Sequence, residues 1–255
     1  MKRIAVITGA SSGIGKRFAE TLSQFGEPLD EVWVIARRKE RLEELELGIP
    51  KRVLALDLTD EGAIKEYADL LSAENPDVRL LINASGFGKF CATVDASVEE
   101  NRNMVKLNCM ALMSLCQITV PFLHSGAKIV NIASVAAYQP IPYINVYGAS
   151  KAFVLSFSRA LNRELSDVSV LAVCPFWTRT EFFDRAVKKD ADAVVKTYIA
   201  MYDAEDIVAR AWRDLRRGKD VSKYGFIARA QVCLARMLPH KFVMWFWMKQ
   251  QKLGS

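Results

Sequence analysis

From residue 3 to about residue 174, short apolar runs rich in β-branched residues alternate with longer segments of helical period. That alternation predicts an α/β architecture, a parallel sheet whose strands are joined by covering helices. The strand candidates are Arg3 to Thr8, Glu31 to Ala36, Arg52 to Asp57, Val78 to Asn83, Lys128 to Ala133 and Ser169 to Cys174. None alternates cleanly between apolar and polar, as expected of strands covered on both faces. Helical segments fall near 13–25, 39–47, 60–74, 98–124 and 146–165. The remaining residues predict a lid-like substrate segment near 176–203, a helix near 204–217, a short seventh strand near Val221 and an apolar helical tail near 226–253. With no repeat, low-complexity tract or linker to interrupt this order, a single domain over residues 1–255 is expected.

Composition narrows the chemistry. A chain of 255 residues, 51% of them hydrophobic, has enough apolar surface to build its core without covalent staples. Five cysteines (Cys91, Cys109, Cys116, Cys174, Cys233) form no C-x-x-C pair, so neither a disulfide framework nor a zinc ribbon is expected. Buried thiols in a reducing, cytoplasmic setting are the expectation. His124 and His240 are the only imidazoles and lack ligand spacing, so no metal is expected. No run of about 18 apolar residues is present, and no membrane span is predicted. The formal charge of +6 is concentrated toward the C-terminus, where cations alternate with aliphatic and aromatic residues rather than forming a basic run. A nucleic-acid partner is therefore not expected.

Thr8-Gly9-Ala10-Ser11-Ser12-Gly13-Ile14-Gly15 closes the first strand and opens the first helix. Glycines there let the backbone approach a pyrophosphate, and the helix N-terminus supplies amides and a favourable dipole. At the end of the second strand an NAD site would offer a carboxylate to the ribose 2′-hydroxyl. The chain instead reads Ala36-Arg37-Arg38, and two guanidiniums suit a 2′-phosphate, so NADP(H) is expected ahead of NAD(H). Asp57-Leu58 ends the third strand; Asp57 is either an adenine-binding acid or a turn cap. Asn83-Ala84-Ser85-Gly86 ends the fourth, as a cofactor-facing turn or a plain asparagine turn.

Ser134 follows the fifth strand, Tyr147 stands 13 residues later, and Lys151 follows by four, on the same helical face as Tyr147. Reducing a carbonyl requires a proton at oxygen as hydride reaches carbon, and a free phenol with a pKa of about 10 is sluggish at that task. A lysine charge at ~4 Å in a medium of effective dielectric ~20 supplies about 4 kcal/mol, enough to lower a phenol by about three units. Ser134 would hold the carbonyl oxygen, or else cap a turn. Asn108, inside the apolar stretch Leu107-Asn108-Cys109-Met110-Ala111, would either hold a relay water for Lys151 or satisfy a buried backbone group.

Taken together, the Thr-Gly-x3-Gly-Ile-Gly turn, Asn-Ala-x-Gly, the helical asparagine, the serine and Tyr-x3-Lys resemble, over roughly residues 3–215, a compact short-chain dehydrogenase/reductase. The resemblance implies a Rossmann-type doubly wound parallel sheet of about seven strands, an Asn108, Ser134, Tyr147 and Lys151 tetrad, hydride exchange with a nicotinamide, and a homodimer or homotetramer. An arginine directly after the second strand marks the NADP-preferring members. Pro175-Phe176-Trp177-Thr178-Arg179-Thr180 departs from the family's Pro-Gly-x3-Thr, with Phe176 in place of glycine. Pro175, Thr178 and Thr180 carry over as nicotinamide contacts.

Phe87, Phe90, Tyr138, Tyr143, Phe176, Trp177, Phe182 and Phe183 fall where the substrate would lie and point to a lipophilic carbonyl or hydroxy compound, steroid-like or fatty-acyl-like. The tail has three readings: a helix covering the subunit or its partner, a pocket wall, or an interfacial membrane helix. The alternatives to a lipophilic carbonyl reductase are a reductase of smaller ketones and aldehydes, or a nucleotide sensor without turnover. A sensor has no need of the Ser134, Tyr147 and Lys151 set.

Overall fold

The absence of period-two alternation has a direct structural cause. Ile4, Val6, Trp33, Ile35, Leu81, Ile129 and Val170 pack into one core, and their neighbours Ala5, Ile7, Val32, Val34, Ile82, Val130 and Leu171 pack into another on the opposite side. Each strand thus buries both faces beneath helices.

The computed structural model describes residues 1–187 and 194–253. Its first half runs β1 (Arg3–Thr8), α1 (Gly13–Glu20), β2 (Glu31–Ile35), α2 (Lys39–Glu43), β3 (Lys51–Leu54), α3 (Glu61–Glu74), β4 (Asp77–Asn83), α4 (Val98–Val105), a π-helical turn (Lys106–Ala111) and α5 (Leu112–Thr119). There follow β5 (Leu123–Ile132), α6 (Asn145–Glu164), β6 (Ser169–Val173), β7 (Thr178–Arg179), α7 (Phe182–Ala186), β8 (Tyr202–Asp203), α8 (Ala204–Arg216), β9 (Val221–Ser222), α9 (Phe226–Met237) and α10 (His240–Gln250). The part of the expected lid-like segment at 188–193 lies outside the described residues.

Seven strands form one parallel sheet in the order β3-β2-β1-β4-β5-β6-β9. This is the expected Rossmann-type doubly wound sheet. Helices α3, α5 and α6 supply Tyr67, Leu71, Leu112, Leu115, Val154 and Leu161 to one core, while α1 and α8 supply Phe18, Ala19, Ile207, Ala211 and Trp212 to the other. Strand order reverses between β1 and β4, and the crevice outside their carboxyl ends is where such sheets bind ligands.

Several expectations need correction: β3 ends at Leu54 and not at Asp57, and the helix expected over 39–47 stops at Glu43. The helix expected over 98–124 is not continuous: a π turn interrupts it at Lys106–Ala111, and a short 3-10 turn containing Pro121 ends it. Strand β5 also starts five residues before Lys128, because Leu123 pairs with Val78 across a register shift. By length and composition alone, the stretch Val98–Phe122 is long and apolar enough to cross a membrane. Here Leu112, Leu115 and Cys116 of that stretch are buried in the core.

Candidate active site

The β1–α1 turn is built for close approach. Gly9 has φ +67°, and a Cβ there would lie 2.7 Å from the Ala84 backbone; a Cβ on Gly15 would lie 2.4 Å from the Gly9 carbonyl oxygen. No side chain larger than glycine fits either position. The Thr8 hydroxyl accepts bonds from the Ala84 and Ser85 amides at 3.1 and 3.2 Å, clamping the β4 turn against the glycine loop. Ser12, the N-cap of α1, makes no side-chain capping bond, and the first turn carries no acid. The first amides of α1 therefore face the crevice without a protein acceptor from the cap, which fits a pyrophosphate.

At the ends of β2 and β3 each arginine meets a carboxylate. Arg37 lies 3.7 Å from Asp57. Burial raises the Asp57 carboxyl, but the amide and hydroxyl of Thr59 together with Arg37 outweigh it and hold the pKa below its ordinary value. Arg38 donates to Ser11 Oγ and, at 2.8 Å, to Glu181, which Arg41 also binds. Sequence reasoning did not find Glu181, or Arg185, whose guanidinium lies 3.4 Å from the Phe87 ring centroid. Both come from the segment around α7, and only folding brings that segment beside β2.

The chemical groups converge at the other end. Lys151 is buried and donates to the Ile132 carbonyl at 2.7 Å, with its Nζ 5.8 Å from the centre of the Tyr147 ring. Burial pulls the Lys151 ammonium down to about 8. It also pushes the Tyr147 phenol up to about 12, against a hydrogen bond from Ser134 that works downward. In the free protein desolvation is the dominant influence on the Tyr147 phenol, and the Lys151 ammonium is aimed at the Ile132 carbonyl. Ser134 accepts the Ala136 amide at 3.1 Å, so it caps the turn after β5 as well as facing Tyr147.

Asn108 sits in the π turn, a feature often found at functional sites. Its Oδ1 accepts the Phe87 amide at 3.0 Å, and its Nδ2 donates to the Phe87 carbonyl at 2.9 Å and to Ser150 Oγ at 3.0 Å. The side chain thus satisfies buried backbone groups of Phe87. Asn83 likewise points into the sheet, donating to Asn131 and Cys116, and does not line the crevice. Parallel pairing with β5 draws its amide inward.

A single cavity of about 870 Å³ joins these parts. Gly9, Ser11, Ser12, Gly13, Ile14, Gly15, Arg37, Arg38, Asp57 and Leu58 line one end, and Ala84, Ser85, Gly86, Pro175, Thr178 and Thr180 line the middle with Ser134, Tyr147 and Lys151. Beyond Tyr147 the wall is aromatic: Phe90 packs on Tyr147 at 5.7 Å and Phe182 at 5.4 Å. Tyr138 and Tyr143 are absent from this wall. Tyr138 instead lies beneath Arg236 and Lys223. Phe176, at the departed glycine position, is buried against Val135, Ala228 and Val232 and so braces α9. The tail supplies the remaining wall, including Ile227, Leu238, Val243 and Trp247.

Residues 3–191 match the family model for short chain dehydrogenases. The chain belongs to the short-chain dehydrogenase/reductase family. It is 32% identical over 219 residues to the NADP-dependent 3-hydroxy acid dehydrogenase YdfG of Escherichia coli, covering 82% of this chain and 87% of that one. A short-chain dehydrogenase from Sphingobium yanoikuyae, solved in complex with NADPH, superposes with a TM-score of 0.77 at 31% identity, covering 91% and 92% of the two chains. The bulky-bulky ketone specific alcohol dehydrogenase from Comamonas testosteroni gives a TM-score of 0.72 at 28% identity, covering 93% and 92%. The protein is thus an oxidoreductase of the dehydrogenase type acting on CH-OH groups.

Proposed function

We propose that the protein interconverts a carbonyl and a secondary alcohol on a lipophilic, steroid-like or fatty-acyl-like substrate with NADP(H), Tyr147 serving as general acid and base. The observation that carries this reading is the continuous cavity, whose glycine loop and arginines lie at one end, Ser134 and Tyr147 in the middle and an aromatic wall beyond. An NADPH-bound relative and a bulky-ketone relative support its two halves.

In this reading the glycine loop and the α1 amides hold the pyrophosphate, Arg37 and Arg38 the 2′-phosphate, and Ser85, Gly86, Pro175, Thr178 and Thr180 flank the nicotinamide. Bound there, the dihydronicotinamide supplies the hydride. Ser134 and Tyr147 hold the carbonyl oxygen. Tyr147, protonated at neutral pH like any phenol, delivers its proton there as negative charge develops. Lys151 lends positive charge beneath the phenol and restores its proton, and Asn108 fixes the Phe87 loop that closes the site.

The aromatic wall excludes water and favours an apolar substrate over a small sugar. We read residues 1–255 as one functional domain, because the tail lines the same cavity as the glycine loop. Four buried thiols support a reducing, cytoplasmic setting. Exposed Val105, Met110 and Phe153 on α4, the π turn and α6 support assembly with further copies.

The test is Tyr147→Phe. Turnover of a panel of steroid, acyl and small ketones should fall by about 10²- to 10⁴-fold while NADPH binding is retained. Retained reductase activity sinks the mechanism, and a preference for NADH over NADPH sinks the arginine assignment.

A further inference from the structure

The outer face of the tail carries a charge and an apolar surface that catalysis does not use. Beyond Asp220 the sequence contains no Asp or Glu and six basic residues (Lys223, Arg229, Arg236, Lys241, Lys249, Lys252), equal to the net charge of the whole chain, +6. Residues 1–220 are therefore electrically balanced, with 29 basic and 29 acidic side chains, and all of the excess sits on α9, α10 and their flanks. Among these cations stand large apolar side chains open to solvent: Phe226 at 77%, Met237 at 76%, Trp245 at 54%, with Leu234, Phe242 and Phe246. Lys249 lies 5.1 Å over the Trp245 ring. Phe226, Leu234, Phe242 and Phe246 also line the cavity, so this apolar surface is the rim of its mouth.

We propose that this basic, aromatic face docks on an anionic lipid bilayer, α9 and α10 lying in the headgroup plane with the cavity mouth turned to the acyl chains. Helix α10 has 11 residues, about half of what spans a bilayer, so it lies on the membrane and does not cross it. Tryptophan and phenylalanine favour the headgroup level, and cations beside them are drawn by the negative surface potential. A second copy of the chain is a poor occupant, since a two-fold contact would press together two tails that each carry six cations and no acid. The consequence, which rests on the proposed carbonyl chemistry, is that a membrane-dissolved substrate enters the cavity without crossing water.

The test uses the full-length protein and vesicles of phosphatidylcholine with or without phosphatidylglycerol. The protein should float with the anionic vesicles, detach at high salt, and show quenching of Trp245 emission by brominated acyl chains. Arg229→Gln, Lys241→Gln and Lys249→Gln combined should weaken vesicle binding at least about tenfold. Met237→Ser with Trp245→Ser, neither of which lines the cavity, should do likewise while NADPH binding and turnover of a water-soluble ketone stay unchanged. In that variant KM for a bilayer-held ketone should rise and KM for the soluble one should not.

Absence of flotation on anionic vesicles overturns the proposal, as does undiminished binding by the glutamine variant. A concentration-dependent dimer abolished by Met237→Ser with Trp245→Ser would assign the face to self-association instead. Flotation does not depend on turnover, so a failed oxidoreductase assignment leaves this result readable.

Discussion

Tyr147 and Lys151 are four residues apart on one face of α6, yet burial moves them in opposite senses, the phenol up to about 12 and the ammonium down to about 8. For the proposed role this keeps the phenol protonated across the neutral range, as donation to a carbonyl requires, but with less driving force than a free phenol, and oxidation of the alcohol needs the phenolate. Initial rates of alcohol oxidation should therefore climb from neutral to alkaline pH while carbonyl reduction does not. Lys151 has a consequence for stability too. The folded protein releases the Lys151 proton near pH 8 and the unfolded chain near the ordinary 10.5, so between those values the unfolded state binds more protons and stability rises with pH. Relative to Lys151→Met, the wild type should gain up to about 3 kcal/mol across that window, read from denaturation midpoints at pH 7 and above pH 10. The spacing of the pair was legible in the sequence; the turn of the ammonium toward the Ile132 carbonyl was not, because that acceptor belongs to a strand 19 residues away.

At the scale of elements, the π turn is where an apolar helix gives up regular bonding to place Asn108 beside the Phe87 loop. Removing that amide leaves the Phe87 amide and carbonyl buried without their partner. Asn108→Ala should therefore destabilise by about 1–3 kcal/mol, measured by denaturant unfolding, and lower kcat. The sequence marked the asparagine as out of place in an apolar helix, but a π turn has no local composition of its own. The segment entering α7 offers a second case. Glu181 occupies Arg38 and Arg41 beside the proposed 2′-phosphate site. Exposed ion pairs contribute about 0.2–1 kcal/mol, so Glu181→Gln should tighten NADPH binding up to about fivefold without a matching gain for NADH, as fluorescence titration would report.

At the scale of the molecule, one cavity is walled by residues from both ends of the chain. Trp247 stacks on Trp177 at 6.4 Å and donates to the Pro142 carbonyl at 3.0 Å, while Gln251 accepts the Lys196 and Thr197 amides. The tail thus joins the loop before α6 to the substrate segment. Trp247→Ala should cost about 3–5 kcal/mol if the tail unfolds with the rest, and should raise KM for a bulky ketone while leaving NADPH affinity intact. Thermal unfolding and steady-state kinetics on one preparation check both.

Period, glycine spacing, the Arg37-Arg38 pair and the Tyr147-Lys151 spacing were written in the sequence, because each is fixed within one strand, one turn or one helix face. The sheet order, the inward turn of Asn83, the reach of Glu181 to Arg38 and the use of the tail as a cavity wall were decided only by tertiary structure. These depend on which surfaces meet across 48 to 143 residues of chain, as the hydrogen bonds from Asn83 to Asn131 and from Arg38 to Glu181 illustrate. Such meetings are selected by the burial of whole faces, which no local pattern encodes.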